Sequence, residues 1–362
     1  MKTVLPLLLG AALVSCGPAR SVFKKDTPRE AYERRLDKAD IDETPEGRAW
    51  RAAGASALAA PVGITLPYRH SGRFGTDKPR ALGLRFTAKQ GQSLRIAISE
   101  RDATTLPLYA EVFREDGGTT ALQLSAEPGA ESLRFDVEHS GTYILRLQPA
   151  LRQGGTYSLS VGTGPTLGFP VAGPKAKAGS FWGADRDGGA RRHEGVDIFA
   201  PKGTPAVAGA AGTVTSVSES PLGGKYVFLR PDGKNYNLYY AHLDEQLVRP
   251  GQRVAAGETI GLVGNTGNAR TTPAHLHFGI YTYEGAVDPY PFIDKTERQA
   301  PALAKRSLPL ALKLRKTQRT ESGTTVPAQS VLPALALTDK GYLAELPGGG
   351  ITLLPFATVQ PV

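Results

Sequence analysis

Apolar and polar residues alternate throughout the segment 61–163. Five short stretches show this alternation: 82–86, 94–98, 133–137, 143–147 and 157–161. A period of two residues is typical of half-buried β-strands. Glycines and polar clusters separate the stretches, so we expect a β-sandwich, in which two sheets bury their apolar faces against each other.

The segment 17–60 precedes this predicted sandwich and contains two helix-start signals. In Thr27-Pro28-Arg29-Glu30, a capping threonine is followed by a proline and by a glutamate three residues after the cap. This predicts a helix from Pro28 to about Lys38. Thr44-Pro45-Glu46 opens a second, alanine-rich helix. We interpret residues 17–60 as a partly helical tether, and a partly disordered spacer is an equally open alternative.

Residues 1–16 have the pattern of an export signal. The apolar run Val4 to Val14 follows Lys2 and is too short to span a bilayer as a permanent helix. It ends in Leu13-Val14-Ser15-Cys16, which resembles the bacterial lipobox, where the cysteine is lipidated. Cys16 is the only cysteine and therefore has no partner for an internal disulfide. The alternative is an ordinary signal peptide that happens to end near a cysteine.

Lipidation at Cys16 would place the protein in the cell envelope, outside the cytoplasm and attached to a membrane. Gly17, rather than aspartate, follows the cysteine. By resemblance to Gram-negative lipoproteins, this favours the outer membrane and a position facing the periplasm.

Length and charge limit the remaining possibilities. A chain of 362 residues is too long for one compact core, so we expect two or three domains. The net charge of +9 suits a polyanionic surrounding, although a solvated basic surface is the simpler interpretation. No basic helix is interleaved with aromatic residues, so we predict no nucleic-acid partner.

We divide the remainder of the chain, after residue 163, into a linker (164–180), a domain that carries the candidate chemistry (181–294) and a basic linker with a small SH3-like β module (295–362).

Four of the six histidines lie between residues 193 and 277. Three short motifs contain them: His193-Glu194-Gly195-Val196-Asp197, Tyr240-Ala241-His242-Leu243 and His275-Leu276-His277. A catalytic zinc takes about three protein ligands and one open position, and histidine and aspartate are suitable donors. Bound zinc lowers the pKa of water from ~15.7 towards ~7, and further histidines can move protons. The four histidines and Asp197 supply enough groups for three ligands and two helpers.

Strand geometry predicts which of these side chains converge. Residues two apart on a strand share a face, so His275 and His277 should project together, beside Gly279. By the same rule we expect Tyr240 and His242 to share a face with Leu238.

The ordered motifs resemble the lysostaphin-type zinc endopeptidases, also called LytM-domain peptidases, over about residues 179–294. Further segments match the family's strand and turn pattern: 200–205, 211–214, 248–251, 264–267 and 288–289. The resemblance implies one Zn2+ held by His193, Asp197 and His277, with His242 and His275 as catalytic histidines. It also implies an antiparallel β-groove with a duplicated, lipoyl-like hybrid motif.

The function implied is zinc-dependent hydrolysis of peptide cross-links in bacterial peptidoglycan. Two alternatives remain: a catalytically inactive regulator that activates another wall hydrolase, and an envelope scaffold in which the β domains act. Some family members use a tyrosine shortly before the first histidine, and residues 181–192 contain none. Tyr239 or Tyr240 is the candidate substitute. The overall expectation is a mainly β protein.

Overall fold

A computed structural model describes residues 25–100, 106–320 and 323–362. The predicted signal peptide, the lipobox and Cys16 lie outside the described residues. Within them, no helix has both the length and the apolar character that a membrane span requires.

Two helices precede the first sheets. α1 spans Pro28–Lys38 and α2 spans Pro45–Ala59, as their capping sequences predict. Thr27 accepts a hydrogen bond from the backbone of Glu30, whose side chain accepts one from the backbone of Thr27, which completes a capping box. α2 packs against the sheets through Trp50, whose side chain is fully buried and donates to the carbonyl of Pro149 at 2.8 Å.

The first nine strands form two sheets that face each other. The strands are β1 (Val62–Gly63), β2 (Tyr68–Phe74), β3 (Leu82–Ala88), β4 (Gln92–Glu100), β5 (Leu108–Asp116), β6 (Thr119–Ser125), β7 (Ser132–Asp136), β8 (Gly141–Pro149) and β9 (Gly155–Pro165). One sheet has the order β1-β3-β8-β5-β6, and the other contains β2-β9-β4-β7. Their apolar faces share one core, as the alternating pattern predicts.

A third, ten-stranded sheet follows and carries the histidine motifs. Its region comprises β10 (Lys177–Ser180), β11 (Asp185–Arg186), β12 (Arg191–Arg192), β13 (Val196–Phe199), β14 (Pro205–Val207), β15 (Gly212–Ser220), β16 (Gly224–Pro231), β17 (Tyr236–Gln246), β18 (Arg253–Val254), β19 (Thr259–Val263), β20 (His275–Thr282), β21 (Gly285–Val287) and α3 (Tyr290–Ile293). The main path runs β10-β13-β20-β17-β16-β15-β18. The hairpin β11-β12 lies outside this sheet, and the sheet has its own apolar core.

The C-terminal strands return to the first sheets. They are β22 (Ala311–Leu314), β23 (Gln318–Arg319), β24 (Thr325–Val326), β25 (Val331–Thr338), β26 (Gly341–Glu345), β27 (Ile351–Pro355) and β28 (Val359–Pro361). β25 pairs with β2, so that β27-β26-β25 extend the sheet β2-β9-β4-β7. Ala336 and Leu343 enter the sandwich core. The predicted C-terminal module therefore shares a sheet with the predicted sandwich, and the exact domain boundaries stay a prediction.

The mainly β fold class is confirmed. Among the described strands, every ladder is antiparallel except the short pairing of β1 with β3. The duplicated, lipoyl-like motif stays a prediction.

Candidate metal centre

Three of the predicted site residues bring their donor atoms into one small triangle. Nε2 of His193, Oδ1 of Asp197 and Nδ1 of His277 each lie 3.0 Å from the other two. Donor atoms bound at about 2.0–2.2 Å to a tetrahedral Zn2+ are separated by roughly 3.3–3.6 Å. The triangle therefore needs only a slight opening to accept such an ion.

Strand register explains why these distant residues meet. β13 and β20 are antiparallel neighbours, and Asp197 stands directly opposite His277. His193 follows the end of β12 and turns back towards them. Gly195 makes this possible, because a Cβ at that position would lie 2.5 Å from Cε1 of His277 and 2.8 Å from the carbonyl oxygen of Phe278.

The protonation pattern of the triangle suits a bound cation. Nδ1 of His193 lies 3.0 Å from the carbonyl oxygen of Phe181, which can only accept, so Nδ1 donates and the lone pair of Nε2 faces Asp197. Burial lowers the pKa of His277, which keeps its ring neutral, as metal binding requires. A cation at the centre relieves the repulsion between the two lone pairs and the carboxylate.

The two predicted catalytic histidines lie beside this triangle. The ring centroids of His242 and His275 are 5.0 Å apart, and Nε2 of His275 lies 3.9 Å from Oδ1 of Asp197. Nδ1 of His242 donates to the carbonyl of Thr266 at 2.9 Å, and Nδ1 of His275 donates to that of Pro273 at 2.8 Å. Each backbone carbonyl thereby fixes the ring orientation and leaves Nε2 available for proton transfer. The structure thus brings all five predicted residues together.

The prediction that His242 shares a face of β17 with Leu238 and Tyr240 is wrong. Leu238 and Tyr240 point into the apolar core and are fully buried there. His242 has a φ of +60°, and the β16–β17 register shifts between Lys225 and Val227. This left-handed residue interrupts the alternation of the strand and turns the imidazole to the opposite face, towards the candidate site.

The geometry separates the two tyrosines offered as substitutes for the missing upstream tyrosine. The hydroxyl of Tyr240 accepts a hydrogen bond from the backbone of Gly209 within the core, so Tyr240 cannot reach the site. Tyr239 lies on the other face, with its ring centroid 6.0 Å from that of His277. Tyr239 therefore remains the candidate.

Sequence reasoning missed Arg186 and three backbone carbonyls. Nη2 of Arg186 lies 2.7 Å from Oδ2 of Asp197. An arginine in a polar turn has no distinguishing pattern in a single sequence, and a carbonyl has none at all. The carbonyls of Phe181, Thr266 and Pro273 became identifiable only through their distances to the histidines.

An antiparallel β-sheet that holds a buried His–Asp–His triangle beside two further histidines is the arrangement of a metal-dependent hydrolase. Residues 191–289 match the sequence model of Peptidase family M23. The chain thus contains a peptidase family M23 domain, which confirms the resemblance to the lysostaphin-type peptidases.

Proteins similar to this chain include two curated endopeptidases and a solved catalytic domain. An L-Ala–D-Glu endopeptidase of Bacillus subtilis is 37% identical over 131 residues, which cover 33% of this chain and 40% of that protein. The peptidoglycan DD-endopeptidase ShyC of Vibrio cholerae is 42% identical over 88 residues, or 24% of this chain and 20% of that protein. The solved catalytic domain of lysostaphin from Staphylococcus simulans is 34% identical, with a TM-score of 0.30, over 32% of this chain and 91% of that domain. The chain thus spans less than half the length of these two curated relatives.

Proposed function

We propose that this protein is a zinc-dependent endopeptidase that hydrolyses peptide cross-links of bacterial peptidoglycan. The observation that carries the proposal is the 3.0 Å triangle of His193, Asp197 and His277 with His242 and His275 beside it. The name of the Vibrio cholerae relative, a peptidoglycan DD-endopeptidase, supports peptidoglycan as the substrate class.

Each of the five residues has a role that its environment supports. His193, Asp197 and His277 would hold one Zn2+, which when bound lowers the pKa of water and polarises the scissile carbonyl. Burial, followed by the nearby rings of His275 and His277, lowers the pKa of His242 to about 4, so the ring is neutral near pH 7 and can accept a proton. After accepting the water proton at Nε2, His242 can donate it to the leaving amine. Because Nδ1 of His275 already donates to Pro273, His275 would stabilise the negative charge that develops on the carbonyl oxygen with a second proton, taken from solvent, on Nε2.

We also propose an extracytoplasmic position, with Cys16 as the site of lipid attachment and peptidoglycan peptides as the partner. The lipobox-like sequence and the names of the wall-hydrolysing relatives support this location. One further relative, from Escherichia coli, is named as a lipoprotein. Attachment to the outer membrane is part of the same proposal.

The experiment compares purified wild-type protein, His242→Ala and His193→Ala on isolated peptidoglycan, with the products identified by mass spectrometry. We expect His242→Ala to keep one zinc per chain and to lose about 10²- to 10⁴-fold in kcat, because proton transfer is lost while the ligands remain. His193→Ala should lose both zinc and activity. The masses of the released peptides identify the scissile bond.

Other outcomes would contradict the proposal. A wild-type protein that binds zinc but releases no wall peptides would support the inactive regulator instead. A protein that binds no zinc would leave the envelope scaffold as the better account of the chain. Hydrolysis that survives His242→Ala would contradict the proposed catalytic centre.

A further inference from the structure

Arg186 bonds to one oxygen of Asp197, while the other oxygen belongs to the metal triangle. Nη2 of Arg186 lies 2.7 Å from Oδ2 of Asp197 and 2.8 Å from Oγ of Ser180. Oδ1 of Asp197 faces His193 and His277 at 3.0 Å each. The two oxygens of one buried carboxylate therefore have different partners on opposite sides.

We infer that Arg186 is a positioning residue that holds Asp197 as a ligand through Oδ1 alone and thereby preserves the open coordination position. This inference rests on the metal site of the proposed function. A carboxylate can bind a metal through one oxygen or both, and a second oxygen would occupy the position that a catalytic zinc keeps for water or substrate. A charge-assisted hydrogen bond from a guanidinium competes with the metal for Oδ2. It therefore opposes the rotation of the carboxylate that would make both oxygens ligands.

Residues 180–193, which we call the ligand clasp, position Arg186 beside Asp197. Within it, β11 pairs with β12, so that Arg186 stands opposite Arg191, and His193 follows immediately. The backbone of His193 donates to Ala184 at 2.8 Å and accepts from Gly183 at 2.9 Å. The same short segment therefore sets both the backbone of one ligand and the arginine that holds another.

The start of the clasp contributes two further contacts. Ser180 ends β10 and stands opposite Asp197 on β13, so its hydroxyl is well placed to support Arg186. The carbonyl of Phe181 receives the Nδ1 proton of His193. The clasp thus orients two of the three ligands, Asp197 through a side chain and His193 through a backbone carbonyl.

The burial of the pair is consistent with a positioning role. The Asp197 side chain is 9% exposed and that of Arg186 is 30% exposed, so the carboxylate is buried and the guanidinium is the more exposed partner of the pair. Arg253, on β18 of the metal-site sheet, offers a matched comparison. It makes two hydrogen bonds to Asp232, at 3.0 and 2.7 Å, but this pair is exposed and far from the histidines.

The test measures metal binding in the full chain, comparing wild type with Arg186→Gln, Arg186→Lys and the control Arg253→Gln. Zinc affinity is obtained by competition with a chromophoric chelator. We expect Arg186→Gln to weaken zinc binding by about 10- to 100-fold, the usual effect of losing a group that orients a ligand. Arg186→Lys should lose less, because an ammonium keeps the charge but not the planar geometry. Arg253→Gln should bind like wild type.

Cobalt substitution distinguishes a positioning role of Arg186 from a merely structural one. The visible absorption of bound Co2+ weakens when its coordination number rises above four. We expect this band to weaken in Arg186→Gln, where Oδ2 is free to coordinate, and to remain unchanged in Arg253→Gln. If Arg186→Gln does not fold, as judged by tryptophan fluorescence, the cobalt band of Arg186→Lys decides.

Zinc affinity and a cobalt band equal to those of wild type in the Arg186 variants would overturn the inference while leaving the metal site intact. A wild-type chain that binds no zinc would instead overturn the proposed function. The two failures are therefore distinguishable.

Discussion

At the candidate centre, position 195 has no room for a side chain. Gly195 lies where any side chain would meet the ring of His277, at 2.5 Å from Cε1 and 2.6 Å from Nε2. A Cβ at this position would also lie 2.8 Å from the carbonyl oxygen of Phe278, which is too close. His277 can therefore keep its orientation only because residue 195 has no Cβ.

We predict that Gly195→Ala weakens zinc binding by about tenfold or more, because the new methyl group must displace His277. The measurement is zinc affinity by chelator competition, with the urea midpoint recorded in parallel. Gly348→Ala is the matched control, since a Cβ there meets nothing within 4 Å. Equal zinc affinity in Gly195→Ala and wild type would contradict the prediction.

Strand β2 joins the N-terminal sheets to the C-terminal strands and contains a buried histidine. His70 stands opposite Thr338 of β25, and its two ring nitrogens each lie 3.1 Å from a hydroxyl, those of Tyr68 and Tyr157. Burial lowers the pKa of His70 to about 3. This histidine packs between two tyrosines, and its position makes the junction sensitive to acid.

We predict that this junction loses stability as the pH falls below about 6.5. Between that pH and about 3, the unfolded chain binds a proton at His70 that the folded chain does not. The free energy of unfolding therefore decreases by up to about 1.4 kcal/mol per pH unit, or about 2 kcal/mol between pH 7 and pH 5. His70→Gln keeps a donor and an acceptor but does not titrate, so it should lack this component.

Urea unfolding at both pH values measures the difference. Trp50 and Trp182 are the two tryptophans, so a Trp182→Phe background leaves Trp50, packed against the sandwich, as the reporter. The prediction is refuted if wild type and His70→Gln show the same dependence on pH.

At the scale of the whole molecule, the M23 domain is inserted between two parts of one sheet. The chain leaves the sandwich after β9, forms the metal-site sheet, and returns as β25 to pair with β2. A further contact joins the two bodies: Thr163 of β9 pairs with Arg298, which follows α3. The candidate active site is therefore held at both ends by the same sandwich.

We predict that removing residues 307–362 destabilises the sandwich but preserves zinc affinity. The truncation exposes the edge of β2 and removes Ala336 and Leu343 from the sandwich core, whereas the metal-site sheet keeps its own core. Fluorescence of Trp50 during urea unfolding should show a lower midpoint, and chelator competition should show unchanged zinc binding. Leu310→Ser, at a largely exposed position, is the control. An unchanged midpoint in the truncated chain would argue that the sandwich is stable without the C-terminal strands.

The sequence by itself determined the features that depend on neighbouring residues and on side-chain chemistry. Alternation predicted the strands, capping residues predicted α1, and the three histidine motifs predicted which donors are present. These features follow from local geometry, which acts over a few residues.

Only the tertiary structure decided how distant segments meet. The 3.0 Å triangle depends on the register of β13 against β20, about eighty residues apart in the chain. The left-handed backbone at His242 overrode the alternation of its strand, and Arg186 acquired its partner through the fold of the ligand clasp. The pairing of β2 with β25 joins residues more than two hundred and fifty positions apart. Such contacts are selected by packing and hydrogen bonding across the whole molecule, which no local pattern records.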